Sequence, residues 1–308
     1  MLSTHFQAAV SNGAASVLEP VVLSDGCTSM AEVILYGDVV LRFISSAGDE
    51  SAIRRHGVLP GYEVLSPADA GTRSFGLFRL DHCVGNVPHL APAMEYVQRM
   101  TGFHEFAEFV AADVGTVDSG LNSVVLASNN ERVLLPINEP THGTKRRSQI
   151  QTYLEQHGGP GVQHLALATH NIFTTLQAMA AAAGPDGTGG FELIRSAGDT
   201  YYDALPQRVG TDALTGAQFA LCRELGILVD KDDQGLLLQV FTRPVGDRPT
   251  LFLEIIQRVG CRLDTQLAAQ ALGWGQPYAQ AAGCGGFGKG NFTELFKSIE
   301  DYEATLKL

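Results

Sequence analysis

Apolar and polar positions along the chain fall into two rhythms, one near 3.6 residues and one of two, and their order predicts an α+β protein. Residues 3–10 read as a short helix stopped by Asn12-Gly13, and residues 31–36 and 39–45 as two strands joined around Gly37-Asp38. This opening segment, 1–46, is too small to bury a core of its own and reads as a partial module, and its last strand as a third, partial copy of the repeat that follows. Residues 47–74, with Pro60, Gly61, Pro67 and Gly71, read as a linker, and 75–308 as a two-module domain.

The two modules come from an internal repeat. With His82 and His164 as origins, Leu90 and Ile172, Met94 and Leu176, Val97 and Met179, and Gly102 and Gly184 stand at equal offsets. Those offsets form one apolar helix face closed by a glycine, so each copy is a strand bearing a His, then a helix packing back on the sheet, then further strands. In the first copy these strands are 103–110, 119–128 and 132–138, and in the second 191–194, 226–229, 236–242 and 251–257. Two βαβββ copies related by a pseudo-twofold axis would set their sheets side by side as one open, cupped barrel.

The last of these strands, Leu251-Phe252-Leu253-Glu254-Ile255-Ile256-Gln257, has apolar residues on both faces, so Glu254 enters an apolar layer whichever way it points. An ionised carboxylate persists there only beside a cation or a metal. Aligning the two closing strands sets Pro136 opposite Glu254. The equivalent positions of both copies then offer His82, His164 and Glu254, while Pro136 offers nothing. Two imidazoles and one carboxylate on one face suit non-haem Fe(II), and the same donors admit Zn²⁺ or Mn²⁺. The other seven histidines read as ordinary core or surface residues, and an Arg pairing with Glu254 is the competing account of that carboxylate.

Composition narrows the function classes. The formal net charge of −12 argues against nucleic acid or an anionic membrane surface as a partner, and Lys145-Arg146-Arg147 reads as a solvated loop. No apolar window reaches the roughly 18 residues of a membrane span, and residues 1–10 carry no cationic targeting region. Five dispersed cysteines without a CxxC pair predict neither a disulfide framework nor a zinc knuckle, and fit a reducing setting, the cytoplasm ahead of a plastid. Residues 283–289 match part of a phosphate-binding GxxxxGK loop, but Gly290 stands where Ser or Thr must meet Mg²⁺ and no apolar strand leads in. Asn291 then reads as the N-cap of a helix with Phe292, Leu295, Phe296, Ile299 and Tyr302 on one face. That helix suits either a lid on a glycine hinge or a plain docking helix.

Several stretches also resemble the 4-hydroxyphenylpyruvate dioxygenase family, especially its plant and algal type. They include Arg79-Leu80-Asp81-His82, Pro136-Ile137-Asn138-Glu139-Pro140, Gln163-His164-Leu165-Ala166, Glu254-Ile255-Ile256-Gln257-Arg258 and Gly285-Gly286-Phe287-Gly288-Lys289-Gly290-Asn291-Phe292. The resemblance runs from about Phe75 onward. It implies the vicinal-oxygen-chelate fold, Fe(II) held at His82, His164 and Glu254, and conversion of 4-hydroxyphenylpyruvate and O₂ to homogentisate and CO₂. It further implies substrate contacts from Ser123, Asn138, Gln149, Gln163, Gln239, Phe241, Phe252, Phe287, Asn291 and Phe292, and a homodimer. The family carries a fuller N-terminal domain, of which this chain is expected to hold part. A hydroxymandelate-forming enzyme on the same substrate and a non-catalytic metal- or ligand-binding fragment are the alternatives.

Overall fold

The computed structural model describes residues 2–46, 74–110, 120–142, 147–182, 192–194, 197–261, 280–281, 283–295, 297 and 299. The expected linker, the Lys145-Arg146 part of the basic run and the side chains of Phe296 and Tyr302 lie outside the described residues. The chain divides into two compact units: Met1–Ser74 with Ala91–His104, and Phe75–Leu90 with Glu105–Leu308.

In the first unit, helix α1 (Leu2–Ser11) buries Leu2, Phe6 and Ala9, spaced so that they share one face. Strands β1 (Ser16–Val22), β2 (Thr28–Tyr36) and β3 (Val39–Ser46) form an antiparallel sheet, with β2 and β3 joined at the expected hairpin. Strand β1 escapes the sequence reading because Pro20 and exposed valines blur its alternation. Helix α2 (Leu90–Thr101) carries the first copy's apolar face, yet Ala91–His104 group with this unit. Tyr96 Oη donates to the Ile34 carbonyl at 2.8 Å, and Arg99 Nε to that of Asn12 at 3.0 Å.

The second unit is organised by one sheet. Strands β4 (Leu77–Asn86), β5 (His104–Phe109), β6 (Leu121–Ala127) and β7 (Leu134–Pro140) come from the first copy. Strands β8 (Gly161–Thr169), β9 (Leu193–Ile194), β10 (Leu228–Lys231), β11 (Gly235–Thr242) and β12 (Phe252–Gly260) come from the second. Their order is β10-β11-β12-β8-β4-β7-β6-β5, with β9 pairing on β11, so the two halves mirror one another about the β4–β8 seam. That seam is antiparallel, while β7 runs parallel to β4 and β12 parallel to β8. This is the paired βαβββ architecture of the vicinal-oxygen-chelate fold, an open sheet whose order among the described residues ends at β10 and β5.

Helices cover the sheet through matched apolar faces. Helix α3 (Gln149–His157) is capped by Ser148, whose hydroxyl accepts from the Ile150 amide, and buries Ile150, Tyr153 and Leu154 with Phe109, Leu121 and Val125. Helix α4 (Ile172–Ala182) packs Ile172, Leu176 and Met179 among Leu238, Val240 and Ile255. Each fully buried Leu or Ile of this kind contributes about 1.5–3 kcal/mol. Between β9 and β10 lie two helices that apolar periodicity does not announce, α5 (Asp199–Val209) and α6 (Gly216–Leu225). The available signal for α6 is its ends, a Thr215–Gln218 capping box and Gly226 in the left-handed region. Among the described residues no helix is long and apolar enough to cross a membrane.

One expectation fails. Cys261 and Cys284 form a disulfide across 23 residues of sequence, leaving Cys27, Cys83 and Cys222 as free thiols. Cysteine spacing could not show it, because residues 283–288 fold back onto β11 and bring Cys284 to the end of β12. Cysteine usage therefore no longer argues for a reducing compartment.

Candidate metal and substrate site

The β4–β8 seam sets the chemistry. His82 lies opposite Ala166, two residues past His164, and His164 lies opposite Val84, two residues past His82. That reciprocity is the twofold axis read at residue level. The register slips by one residue at Asp81 and again at Gln163, each immediately before its histidine. Such bulges re-aim side chains that strict alternation would send to the opposite face. As a result Asp81 Oδ1 meets His82 Nδ1 at 2.9 Å, and Gln163 Oε1 meets His164 Nδ1 at 2.9 Å. With each Nδ1 engaged outward, both Nε2 atoms face Glu254 Oε2, at 3.2 and 3.3 Å. Glu254 pairs with Ala166 on β8, while Pro136 stands just before Ile137, the partner of Gly85 next to Val84. The structure thus sets Pro136 where the repeat places the counterpart of Glu254.

The three donors fit a divalent cation. Their ligand atoms lie within 4.8 Å of one another, and all three residues are buried. No Lys or Arg lines the cavity around them among the described residues. Burial opposes charge on all three, yet Glu254 is held down at about 2 by His82 and His164. His82 is pushed up to about 9, because the nearby Glu254 and Asp81 carboxylates outweigh the effect of its burial. His164 moves the other way, lowered chiefly by burial. The opposite shifts have a local cause: His82 stands beside two carboxylates, Glu254 and Asp81, whereas His164 has Glu254 and the opposing charge of His82. A metal ion between the three donors would supply the positive charge that Glu254 requires.

Around this centre lies a cavity with about 630 Å³ of empty space, part of it open solvent at its mouth. Of the residues the sequence proposes, His82, His164, Glu254, Ser123, Asn138, Gln149, Gln163, Gln239, Phe241, Phe252, Phe287 and Phe292 all line it. Strand parity explains the pairs Gln239 with Phe241, Phe252 with Glu254, and Pro136 with Asn138. Asn138 Nδ2 donates to Asn86 Oδ1 at 3.2 Å, which turns the Asn138 oxygen toward the other side of its amide. Because His164 occupies Gln163 Oε1, the Gln163 nitrogen is left as the donor for a bound molecule. Leu295 and Ile299 complete the wall from the C-terminal helix, where 292–295, 297 and 299 are helical.

Asn291 is not among the lining residues and stands immediately before the helical residues 292–295. It sits in a 3₁₀ turn (Lys289–Asn291), fully buried, with Oδ1 accepting from Tyr201 Oη at 2.8 Å and Arg208 Nη2 at 3.1 Å. Arg208 also donates to the Gly290 carbonyl and stacks over Tyr201 at 4.5 Å. Burial pushes the Tyr201 hydroxyl up to about 12, against the pull of Arg208. Sequence reasoning missed this clamp because helix α5 itself was not visible.

The glycine-rich stretch is a packed wall and not an open hinge. A Cβ on Gly285 would meet the Leu236 backbone at 2.6 Å, and one on Gly288 would meet Gln239 Nε2 at 2.7 Å. The Gly290 amide donates to the Asp230 carboxylate at 2.8 Å, which sets a negative charge where a phosphate would have to bind. Phe287 projects from this wall edge-on to His82, with ring centroids 5.4 Å apart.

Known proteins match the chain in sequence and in fold. Residues 79–212 match the Glyoxalase/Bleomycin resistance protein/Dioxygenase superfamily. The chain is 56% identical over 302 residues to the 4-hydroxyphenylpyruvate dioxygenase of Arabidopsis thaliana, covering 98% of this chain and 64% of that protein. Against that of Daucus carota the identity is 57%, over 99% of this chain and 65% of the relative. The chain therefore spans just under two thirds of the length of these plant relatives. Against the Yarrowia lipolytica 4-hydroxyphenylpyruvate dioxygenase the identity is 36%, over 97% of this chain and 69% of the relative. Among solved structures, a mutant 4-hydroxymandelate synthase from Streptomyces coelicolor shares the fold, with a TM-score of 0.74 at 23% identity over 98% of this chain and 74% of that one. On the strength of these sequence matches, the chain belongs to the 4-hydroxyphenylpyruvate dioxygenase family.

Proposed function

We propose that this chain carries the active site of an Fe(II)-dependent dioxygenase that converts 4-hydroxyphenylpyruvate and O₂ to homogentisate and CO₂. The observation that carries the reading is the convergence of His82, His164 and Glu254 on one buried point facing a largely apolar cavity. Iron bound there would supply O₂ activation and a chelation site for a 2-oxo acid. The protein's own part is binding and orientation. Phe241, Phe287 and Phe292 offer ring faces and edges to an aromatic substrate, with neutral amides from Gln149, Gln163, Gln239 and Asn138 and the Ser123 hydroxyl to fix its orientation. Gln163 does two jobs, holding His164 through Oε1 while presenting its nitrogen to the cavity. Phe292, Leu295 and Ile299 add apolar wall on the side of the C-terminal helix, which favours a ring over water there.

The test is incubation of the Fe(II)-loaded protein with 4-hydroxyphenylpyruvate, with products separated by chromatography and O₂ uptake recorded. Homogentisate formed one-for-one with O₂ consumed is expected. A hydroxymandelate product would move the reading to the other chemistry, and no turnover by a protein that has bound iron would sink it. Glu254→Ala is expected to abolish tight iron binding, since it removes the one anionic donor; wild-type iron stoichiometry in that variant would refute the assignment.

A further inference from the structure

The two histidines are symmetry mates, but their supports are not alike. His164 leans on a neutral amide, Gln163, and lies stacked on Phe252 with centroids 4.9 Å apart. His82 leans on a carboxylate, Asp81, whose side chain is wholly buried. Arg258, itself only 6% exposed, stands on β12 two strand repeats beyond Glu254. Its Nε and Nη2 donate to Asp81 at 2.9–3.2 Å. Its Nη1 donates to the carbonyls of Cys284 and Gly286, both at 2.6 Å. The guanidinium also lies 5.3 Å from the Phe287 ring centroid, and Phe287 in turn meets His82.

We propose that Arg258 is a positioning residue that fixes the His82 imidazole from two sides at once, through Asp81 on Nδ1 and through the glycine-rich wall that carries Phe287. The planar fork makes this feasible. One edge of the guanidinium matches a carboxylate while the remaining nitrogen spans two carbonyls, a division of donors that an ammonium group cannot reproduce. Among the described residues nothing equivalent links His164 to a wall, so the device acts on one histidine. The inference rests on the proposed metal-binding role of His82, and it adds a residue outside the cavity on which that role depends. A group that orients a ligand from behind commonly changes metal affinity 10–100-fold when altered.

Arg79 supplies the control. It also bonds Asp81, at 2.8 Å, but its side chain is 37% exposed and lies on the outer side of the relay. The experiment compares wild type, Arg258→Lys and Arg79→Met by Fe(II) affinity in chelator competition and by the visible spectrum of the Co(II)-substituted proteins. Arg258→Lys is expected to lose about 10–100-fold in affinity with a shifted Co(II) spectrum, and Arg79→Met less than about threefold with the wild-type spectrum. Asp81→Asn keeps an acceptor for His82 Nδ1 but loses the charge Arg258 grips, and is expected to resemble Arg258→Lys. If Arg258→Lys does not fold, Asp81→Asn carries the comparison with Arg79→Met. Equal losses in Arg258→Lys and Arg79→Met would mean that charge near Asp81 alone matters, and would overturn the proposal. Wild-type affinity and spectrum in Arg258→Lys would overturn it too while leaving the metal site standing. Failure of the wild type to bind metal would remove the functional reading and this inference together.

Discussion

Two adjacent glycines just before the cavity-lining Phe287 and Gly288 test the packing of this stretch on β11 with one methyl group. Gly285 and Gly286 have nearly the same backbone conformation, φ of 76° and 74°, so alanine at either incurs the same left-handed strain, about 1–2 kcal/mol. Their surroundings differ. A Cβ on Gly285 would lie 2.6–2.8 Å from the backbone of Leu236 and Leu237 on β11, atoms that no side-chain rotation can move aside. A Cβ on Gly286 would find its nearest neighbour at 3.7 Å, the end of the Asp232 side chain. Overpacking against a fixed partner costs about 1–3 kcal/mol more. Gly286→Ala is therefore expected to destabilise by about 1–2 kcal/mol and Gly285→Ala by about 2–5 kcal/mol. Urea unfolding followed by circular dichroism reads the difference as a shift in midpoint at constant slope. Because the Gly286 and Cys284 carbonyls hold Arg258, Gly285→Ala is also expected to weaken metal binding more than its neighbour does. Equal destabilisation of the two variants, within about 0.5 kcal/mol, would show that the wall is not pressed against β11 and would refute the reasoning.

The Tyr201 hydroxyl, raised to about 12 by burial, stays neutral in the folded chain after the unfolded chain has ionised near 10. Stability present below pH 10 is thus lost between about pH 10 and 12, by up to about 3 kcal/mol, and Tyr201→Phe should flatten that alkaline limb; the same limb in both proteins would count against the clamp. Thiol titration of the denatured, unreduced protein should find three thiols, Cys27, Cys83 and Cys222, and five would refute the Cys261–Cys284 bridge, whose loss should cost about 3 kcal/mol in the chain-entropy account.

Much of the site is written in the sequence, because strand parity and an internal repeat are local, countable patterns. Glu254 among apolar neighbours, His82 and His164 at equal offsets, and Pro136 opposite Glu254 need only the one-dimensional order of residues. So do the facing pairs along β11 and β12. What the tertiary structure alone decided comes from contacts between residues far apart in the chain. The bulges at Asp81 and Gln163 exist because two strands pair with a slipped register, and they decide which atom supports each histidine. Arg258 finds Asp81 across 177 residues, and Asn291 is drawn from the cavity by Tyr201 and Arg208 on a helix that periodicity does not reveal. Sequence reasoning sees which side chains share a face; it does not see which distant backbone curls back to meet them. The candidate donors could therefore be read from the order of residues, while the groups that aim them could be read only from the fold.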